Sequence, residues 1–262
     1  MTKENQILEF ANLLADEAKE ITLSFYERNL NIENKSKDSF DPVTSADKEA
    51  EALIRNLIMK KFPDHGIIGE EFEDHNIDNK PYWVIDPIDG TRAFILNIPV
   101  WGTLLAYNDG ERPILGLVDL PILQDRYIGF ESNSYKVSNG KKAQIFTSKV
   151  KALEDATIST TDPMLFSDDD ARIFNGIISA VSRRRFGLDC TGYCLLALGK
   201  IDVVMESDLK IYDIQAIIPI IEGAGGVITD WEGNNPNYGG NILASANKEL
   251  HSLILQKIKD EN

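Results

Sequence analysis

Cysteine and histidine are scarce in this 262-residue chain, which holds two of the first and three of the second. Cys190 and Cys194 stand four apart in a segment with helical patterning, a spacing that suits neither a zinc site nor a CxxC redox pair; both read as small buried apolar residues. His65, His75 and His251 are scattered, which argues against a histidine-based metal centre and against a histidine-activated nucleophile. Basic residues are in deficit as well: 27 Lys and Arg face 42 Asp and Glu, a formal charge of −15. A field of that sign repels nucleic-acid phosphates and anionic membranes. Arg183-Arg184-Arg185 is the one basic run; it reads as a solvated helix end or an oligomer contact, so no nucleic-acid partner is expected. No apolar run approaches membrane-spanning length and no secretory h-region opens the chain, so the expected compartment is the cytoplasm.

What the chain does have is an ordinary globular composition, 43% hydrophobic and 26% charged, enough for one large domain or two smaller ones. Ile7, Phe10, Ala11, Leu14, Ala18, Ile21 and Phe25 recur at helical spacing and predict a long amphipathic first helix. A polar loop from Asn29 to Thr44 follows, then a second helix with Ala50, Leu53, Ile54, Leu57 and Ile58 on its apolar face, capped by Thr44 or Ser45. Short strands are expected at Gly66 to Gly69, Tyr82 to Ile85, Gly102 to Tyr107, Ile114 to Val118 and Tyr127 to Phe130. The pattern weakens from Ser138 to Asp155, the expected boundary between an α+β domain over 1–145 and an α/β domain over 146–262. Beyond it, strands near Ala156 to Ser159, Ile201 to Met205 and Val227 to Thr229 alternate with helices near Asp170 to Val181, Thr191 to Leu198 and Ile214 to Glu222, the last with a kink at Pro219. An Asn/Gly-rich loop and a C-terminal helix close the chain. Such alternation predicts an α/β (α+β) protein of layered sheets flanked by helices. Gly223-Ala224-Gly225-Gly226 ends a helix and enters a strand, the reverse of a dinucleotide fingerprint, and reads as a C-cap and tight turn.

The most informative stretch is Trp83-Val84-Ile85-Asp86-Pro87-Ile88-Asp89-Gly90-Thr91, an apolar run that stops at two acids, a glycine and a threonine. Pro87 is expected to end the strand's ladder, so Asp86 and Asp89 emerge together at its carboxyl end as a cation site. Gly90 lets backbone approach a ligand closely, and the Gly90 and Thr91 amides lead into a short helix at Arg92 to Leu96 where an anion can settle. Three more acids stand at element ends: Glu70 after Ile67-Ile68, Asp47 in the first turn of the second helix, and Asp213 directly before the helix beginning at Ile214. Singly, each has a plain explanation as a cap, a dipole complement or a solvated loop acid. Converging, they would repel one another unless cations were bound, which makes physical sense as a multi-metal site.

Asp47 within Asp41-Pro42-Val43-Thr44-Ser45-Ala46-Asp47, Gly69-Glu70-Glu71, Asp86-Pro87-Ile88-Asp89-Gly90-Thr91, and Tyr212-Asp213 before a helix ending in Glu222-Gly223-Ala224-Gly225-Gly226 together resemble the inositol monophosphatase family, in its order and over nearly the whole chain. The resemblance implies a layered αβαβα sandwich of the inositol monophosphatase and fructose-1,6-bisphosphatase type. It also implies Mg²⁺ dependence with two or three ions per active site, Mn²⁺ as a substitute, inhibition by Li⁺, and a homodimer. Glu70, Asp86 and the Ile88 carbonyl would hold the first metal, and Asp86, Asp89 and Asp213 the second. A looser third would involve Glu70, with Asp47 in its outer shell and a mobile loop from Lys35 to Asp41 beside it. A water activated by the cations and oriented by Glu70 and Thr91 would attack phosphorus in line while the Gly90 and Thr91 amides hold the phosphate, with no phosphorylated residue.

Substrate choice must come from other groups. Asp189 in Gly187-Leu188-Asp189-Cys190, with Glu206 and Asp208 in Met205-Glu206-Ser207-Asp208-Leu209, would suit a cationic alcohol better than a neutral polyol, because an ammonium or imidazolium pairs with carboxylates. Asp89-Gly90-Thr91-Arg92-Ala93-Phe94, Pro99-Val100-Trp101-Gly102-Thr103, Gly187 to Cys190 and Asp208 to Asp213 resemble the histidinol-phosphate phosphatase branch of the family, from which Leu188 and Ile211 depart. That branch implies hydrolysis of L-histidinol phosphate in histidine biosynthesis, with Asp189, Glu206 and Arg185 at the substrate. Two other readings are an inositol or broad sugar monophosphatase and a regulator associated with RNA polymerase or ribosomal RNA. A phosphoadenosine phosphatase fits less well, since an acidic pocket would repel its remaining phosphate.

Overall fold

A computed structural model describes residues 3–26, 32–34, 42–77 and 81–261. The Lys35 to Asp41 loop lies outside the described residues.

Helix α1 (Lys3–Phe25) is followed by a small antiparallel pair, β1 (Ile32–Asn34) and β2 (Pro42–Thr44), inside the stretch expected to be loop. Helix α2 (Ser45–Lys61) starts on Thr44, whose hydroxyl accepts from the Ala46 amide. Then come β3 (Gly66–Gly69), β4 (Tyr82–Asp89), α3 (Thr91–Ile95), β5 (Gly102–Asn108), β6 (Pro113–Leu120), β7 (Asp125–Phe130), β8 (Asn133–Ser138) and β9 (Lys141–Gln144). These strands form one seven-stranded sheet in chain order, parallel between β3 and β4 and antiparallel elsewhere.

The second half contributes β10 (Thr157–Thr160), α4 (Asp168–Ile178), β11 (Arg183–Phe186), α5 (Cys190–Ala197), β12 (Val203–Leu209), α6 (Ile211–Ile214), α7 (Ile217–Gly223), β13 (Val227–Asp230), β14 (Gly240–Ser245) and α8 (Lys248–Glu261). Its sheet has the order β11-β10-β12-β14-β13, parallel on the β11 side and antiparallel on the β13 side. Two expectations change here. The arginine triplet is an exposed edge strand rather than a helix end, paired with β10. The single helix from Ile214 to Glu222 is two helices broken at Gln215 and Ala216; Pro219 falls in the first turn of α7, where a missing N–H costs no intrahelical bond.

Side chains alternate across each sheet with period two, and this alternation sorts the core into layers. Trp83, Ile85, Leu105 and Leu117 face Leu14, Ala15, Ile54 and Ile58 of α1 and α2. Their neighbours Val84, Leu104, Ala106 and Val118 face Cys194, Leu196, Ile217 and Ile221 of α5 and α7, which meet Val204, Ile242 and Ala244 of the second sheet on their far side. Beyond that sheet, Val203, Met205 and Leu243 pack on Phe174, Ile177, Leu250 and Ile254 of α4 and α8. The layers read α, β, α, β, α, as expected. Both cysteines are buried in the central helical layer. Among the described residues no helix is long and apolar enough to cross a membrane.

Candidate active site

Strand β4 does not stop at Ile85. Its pairing with β5 runs to Asp86 opposite Leu104 and resumes at Asp89 opposite Gly102, so β4 advances three residues while β5 advances two. This is a β-bulge centred on Pro87, the residue that has no N–H to give the ladder. Residues three apart on a regular strand point to opposite faces, and a single extra residue returns them to the same side. The proline therefore brings Asp86 and Asp89 together by offsetting the strand.

Asp213, third residue of α6 rather than the residue before a helix, completes the group: one carboxylate oxygen from each of Asp86, Asp89 and Asp213 lies within 4.8 Å of the others. Each acid is fixed by a backbone amide. Ile88 N donates to Asp86 Oδ1 at 3.1 Å, Cys190 N to Asp89 Oδ2 at 2.6 Å, and Lys210 N to Asp213 Oδ2 at 2.6 Å. Burial pushes the Asp86 carboxyl well above the usual range, and the charges of Glu70, Asp89 and Asp213 push it further. Asp89 is pushed up to about 7 by burial and then by Asp189, against the opposing pull of the Cys190 hydrogen bonds. Burial and Asp89 raise Asp213 in the same way, with the Lys210 amide opposing.

These residues fit a divalent cation. They supply hard oxygen donors, and their spacing of at most 4.8 Å lies within twice a Ca²⁺–oxygen bond, about 5 Å, and a little above the roughly 4.2 Å span of two ligands on Mg²⁺, which a small side-chain shift closes. A bound cation would turn their mutual repulsion into shared attraction.

Glu70 leaves β3 half-buried and shares a side-chain hydrogen bond with Asp86. Asp47, fully buried as the third residue of α2, accepts from the Thr44 amide at 2.9 Å and the Thr44 hydroxyl at 2.5 Å through Oδ2. Its Oδ1 is buried with no hydrogen-bond partner among the described residues. Burial raises its carboxyl to about 6, with Thr44 opposing and Glu70 adding to the rise. The Ile88 carbonyl accepts from Thr91 Oγ1 at 3.1 Å. Gly90, at φ 84°, makes the turn between them in a region that side chains disfavour.

Two of the substrate-selecting candidates converge on this cluster. Asp189 precedes α5 in a strained backbone conformation, φ 45° and ψ −139°. A Cβ added at Gly90 would meet its Cγ at 3.1 Å. Burial raises Asp189 to about 6, and nearby Arg92 opposes the rise. Glu206, buried on β12, accepts from the Thr161 amide at 2.7 Å, the Thr161 hydroxyl at 3.0 Å and the Thr160 hydroxyl at 2.9 Å. Burial carries it to about 8 against those hydrogen bonds, and Asp189 adds to the rise. Asp208 stands apart, exposed and paired with Lys210 Nζ at 2.7 Å. Arg185 is exposed on β11 opposite Ser159.

Three contributors escaped sequence reasoning. The amides of Cys190 and Lys210 orient acids, and no side-chain pattern reports on an amide. Tyr193 is buried one turn after Asp189, with a hydroxyl that has no partner among the described residues and that Glu206, Asp89 and Asp213 influence electrostatically. Its position four residues after Asp189 on α5 was the available signal.

Known proteins share this arrangement. The inositol monophosphatase family matches residues 3–262. A bifunctional phosphatase, IMPL2, chloroplastic, from Arabidopsis thaliana is 38% identical over 261 residues, covering 95% of this chain and 73% of the relative. A histidinol-phosphatase from Chlorobaculum parvum is 36% identical over 259 residues, 96% of each chain. The solved structure of an inositol monophosphatase from Zymomonas mobilis superposes with a TM-score of 0.86 at 35% identity, covering 99% of this chain and 100% of its own. With five alternating layers and an acid cluster suited to divalent metal, this chain belongs to the inositol monophosphatase family and is a hydrolase of phosphate monoesters.

Proposed function

We propose that the enzyme hydrolyses L-histidinol phosphate to L-histidinol and inorganic phosphate, a step of histidine biosynthesis, with two or three Mg²⁺ ions. Asp189 carries the reading. An acid held at positive φ stores roughly 1–3 kcal/mol of strain, and such strain collects at functional sites. Here it holds a carboxylate over Gly90, beside a metal ligand, with Glu206 close enough to be influenced. A cationic leaving group would relieve that crowding of negative charge, whereas a neutral polyol would not.

Asp86, Asp89, Asp213, Glu70 and the Ile88 carbonyl would hold the cations. When bound, these neutralise phosphate oxygens and make water more acidic. Thr91 donates its hydroxyl proton to Ile88, so its oxygen is left to accept a hydrogen bond from the attacking water. Glu70 and Thr91 would orient that water, the Gly90 and Thr91 amides would hold the phosphate for in-line displacement, and the departing alkoxide would take up the proton the water releases. Asp189 and Glu206 receive the cationic end of the substrate, with Arg185 at the rim. A homodimer accompanies this reading, as the family resemblance implies.

Comparing kcat/KM for histidinol phosphate and myo-inositol 1-phosphate tests the assignment. At saturating Mg²⁺ the wild type should prefer the first, and Asp189→Ala should raise its KM about 10- to 100-fold, the worth of one charged hydrogen bond, with little change for the second. Equal losses on both substrates would refute the substrate and favour a broad inositol or sugar monophosphatase.

A further inference from the structure

Helix α2 places Asp47, Glu51 and Arg55 four residues apart, hence on one face. Glu51 is fully buried and Arg55 nearly so. Arg55 Nε donates to Glu51 Oε1 at 2.7 Å. The other end of its fork reaches the segment after β3, with Nη1 to the Glu73 carbonyl at 3.0 Å and Nη2 to the Phe72 carbonyl at 2.9 Å. Glu51 holds the same segment on both sides of Glu70. Its Oε2 accepts from the Glu71 amide at 2.8 Å, and its Oε1 would lie 2.0 Å from a Cβ at Gly69. Gly69 is thus the residue that admits the carboxylate. Residues 69 to 73 are clamped to α2 through backbone, while the Glu70 side chain is left to share its hydrogen bond with Asp86.

We infer that Glu51 and Arg55 are positioning residues that aim Glu70 at the metal cluster, and so set the affinity for a divalent cation without touching cation or substrate. A buried ion pair is weak grounds for stability, because desolvation offsets the attraction. Its attachments here go to the backbone flanking one acid, and a residue that orients a metal ligand typically governs affinity. The inference rests on Glu70 being a ligand in the proposed site.

Mn²⁺ binding followed by electron paramagnetic resonance tests it, with Mg²⁺ titrations of activity alongside. Glu51→Gln and Arg55→Met should each weaken Mn²⁺ binding at one site about 10- to 100-fold. Each should raise the Mg²⁺ needed for half-activity in parallel, while kcat at saturating Mg²⁺ and the KM for substrate stay near wild type. Should Glu51→Gln fail to fold, Arg55→Lys, which keeps the charge and gives up the fork, carries the same expectation. Variants that melt lower yet bind Mn²⁺ as wild type does would reduce the pair to a structural role and overturn the inference. Glu70→Gln separates the two levels. If it weakens Mn²⁺ binding and the α2 variants do not, positioning fails and the site stands; if it has no effect, both fall.

Discussion

Two buried aspartates on the seven-stranded sheet have opposite surroundings. Asp119 on β6 is 4% exposed and has its cation built in: Arg126 Nε lies 2.7 Å away, and the same guanidinium reaches Asp16 at 2.7 Å. Asp86 on β4 is 1% exposed, and its charged neighbours are Glu70, Asp89 and Asp213. The fold is able to give a buried acid a guanidinium, and does so where the acid is structural. At the bulge it supplies backbone amides and more acids, an arrangement that makes sense when the cation arrives from solution.

The largest expected effect falls on activity at the second site. Asp86→Asn or Asp213→Asn should lower kcat by at least about 10³, the several kcal/mol a catalytic cation contributes, in a phosphate-release assay. In EDTA the same variants should melt no lower than the wild type, since each removes a repelling charge. Full activity in either, or unfolding of both, would break the contrast.

At the first site the order reverses. Arg126→Met leaves Asp119 buried and unpaired, which should cost about 3 kcal/mol and lower Tm by roughly 5–10 °C. Phosphatase activity measured well below that Tm should be unchanged. A loss of metal affinity in this variant would show that the two regions are not independent.

The subtlest difference is in pH. Asp47 and Asp89 sit near 6 and 7 in the folded protein, against an ordinary value of 3.8. The native state therefore binds more protons than the unfolded chain between these limits, so stability present below pH 3.8 is lost as pH rises through 6 and 7. Metal-free protein should melt progressively lower from about pH 5 to pH 8, and saturating Mg²⁺ should flatten the trend because the ligands are then ionised and paired. Thermal melts at four pH values, with Mg²⁺ and with EDTA, measure it; identical slopes would remove the reason for treating these acids as a cation site.

The convergence of the acids was largely legible because they belong to local motifs at element ends: Asp86 to Thr91, Gly69 to Glu71 and Tyr212-Asp213. What escaped was set by distant partners. Strand β9 is fully exposed and β8 has one buried residue, so neither carries the alternation that betrays a half-buried strand. Strand β11 reads Arg-Arg-Arg-Phe and is made a strand by parallel pairing with β10. Strand β14 follows an Asn/Gly-rich stretch that masked it, although its last four residues are buried. Pro87 was read as a stop because a missing N–H ends local pairing, but β5 continues past it and re-engages at Asp89. The α2 face of Asp47, Glu51 and Arg55 was visible as spacing, yet nothing nearby said that residues 69 to 73 would be its partner.

One feature of the helix that begins at Cys190 ties substrate choice to ion requirement. The amide of Cys190 anchors Asp89, and Asp189 is the residue joined to it through the peptide bond. On the proposed reading, exchanging residue 189 to accept a different alcohol also alters the field and the backbone around Asp89, a member of the acid cluster. A variant of residue 189 with a new substrate preference should therefore also show a changed Mg²⁺ requirement.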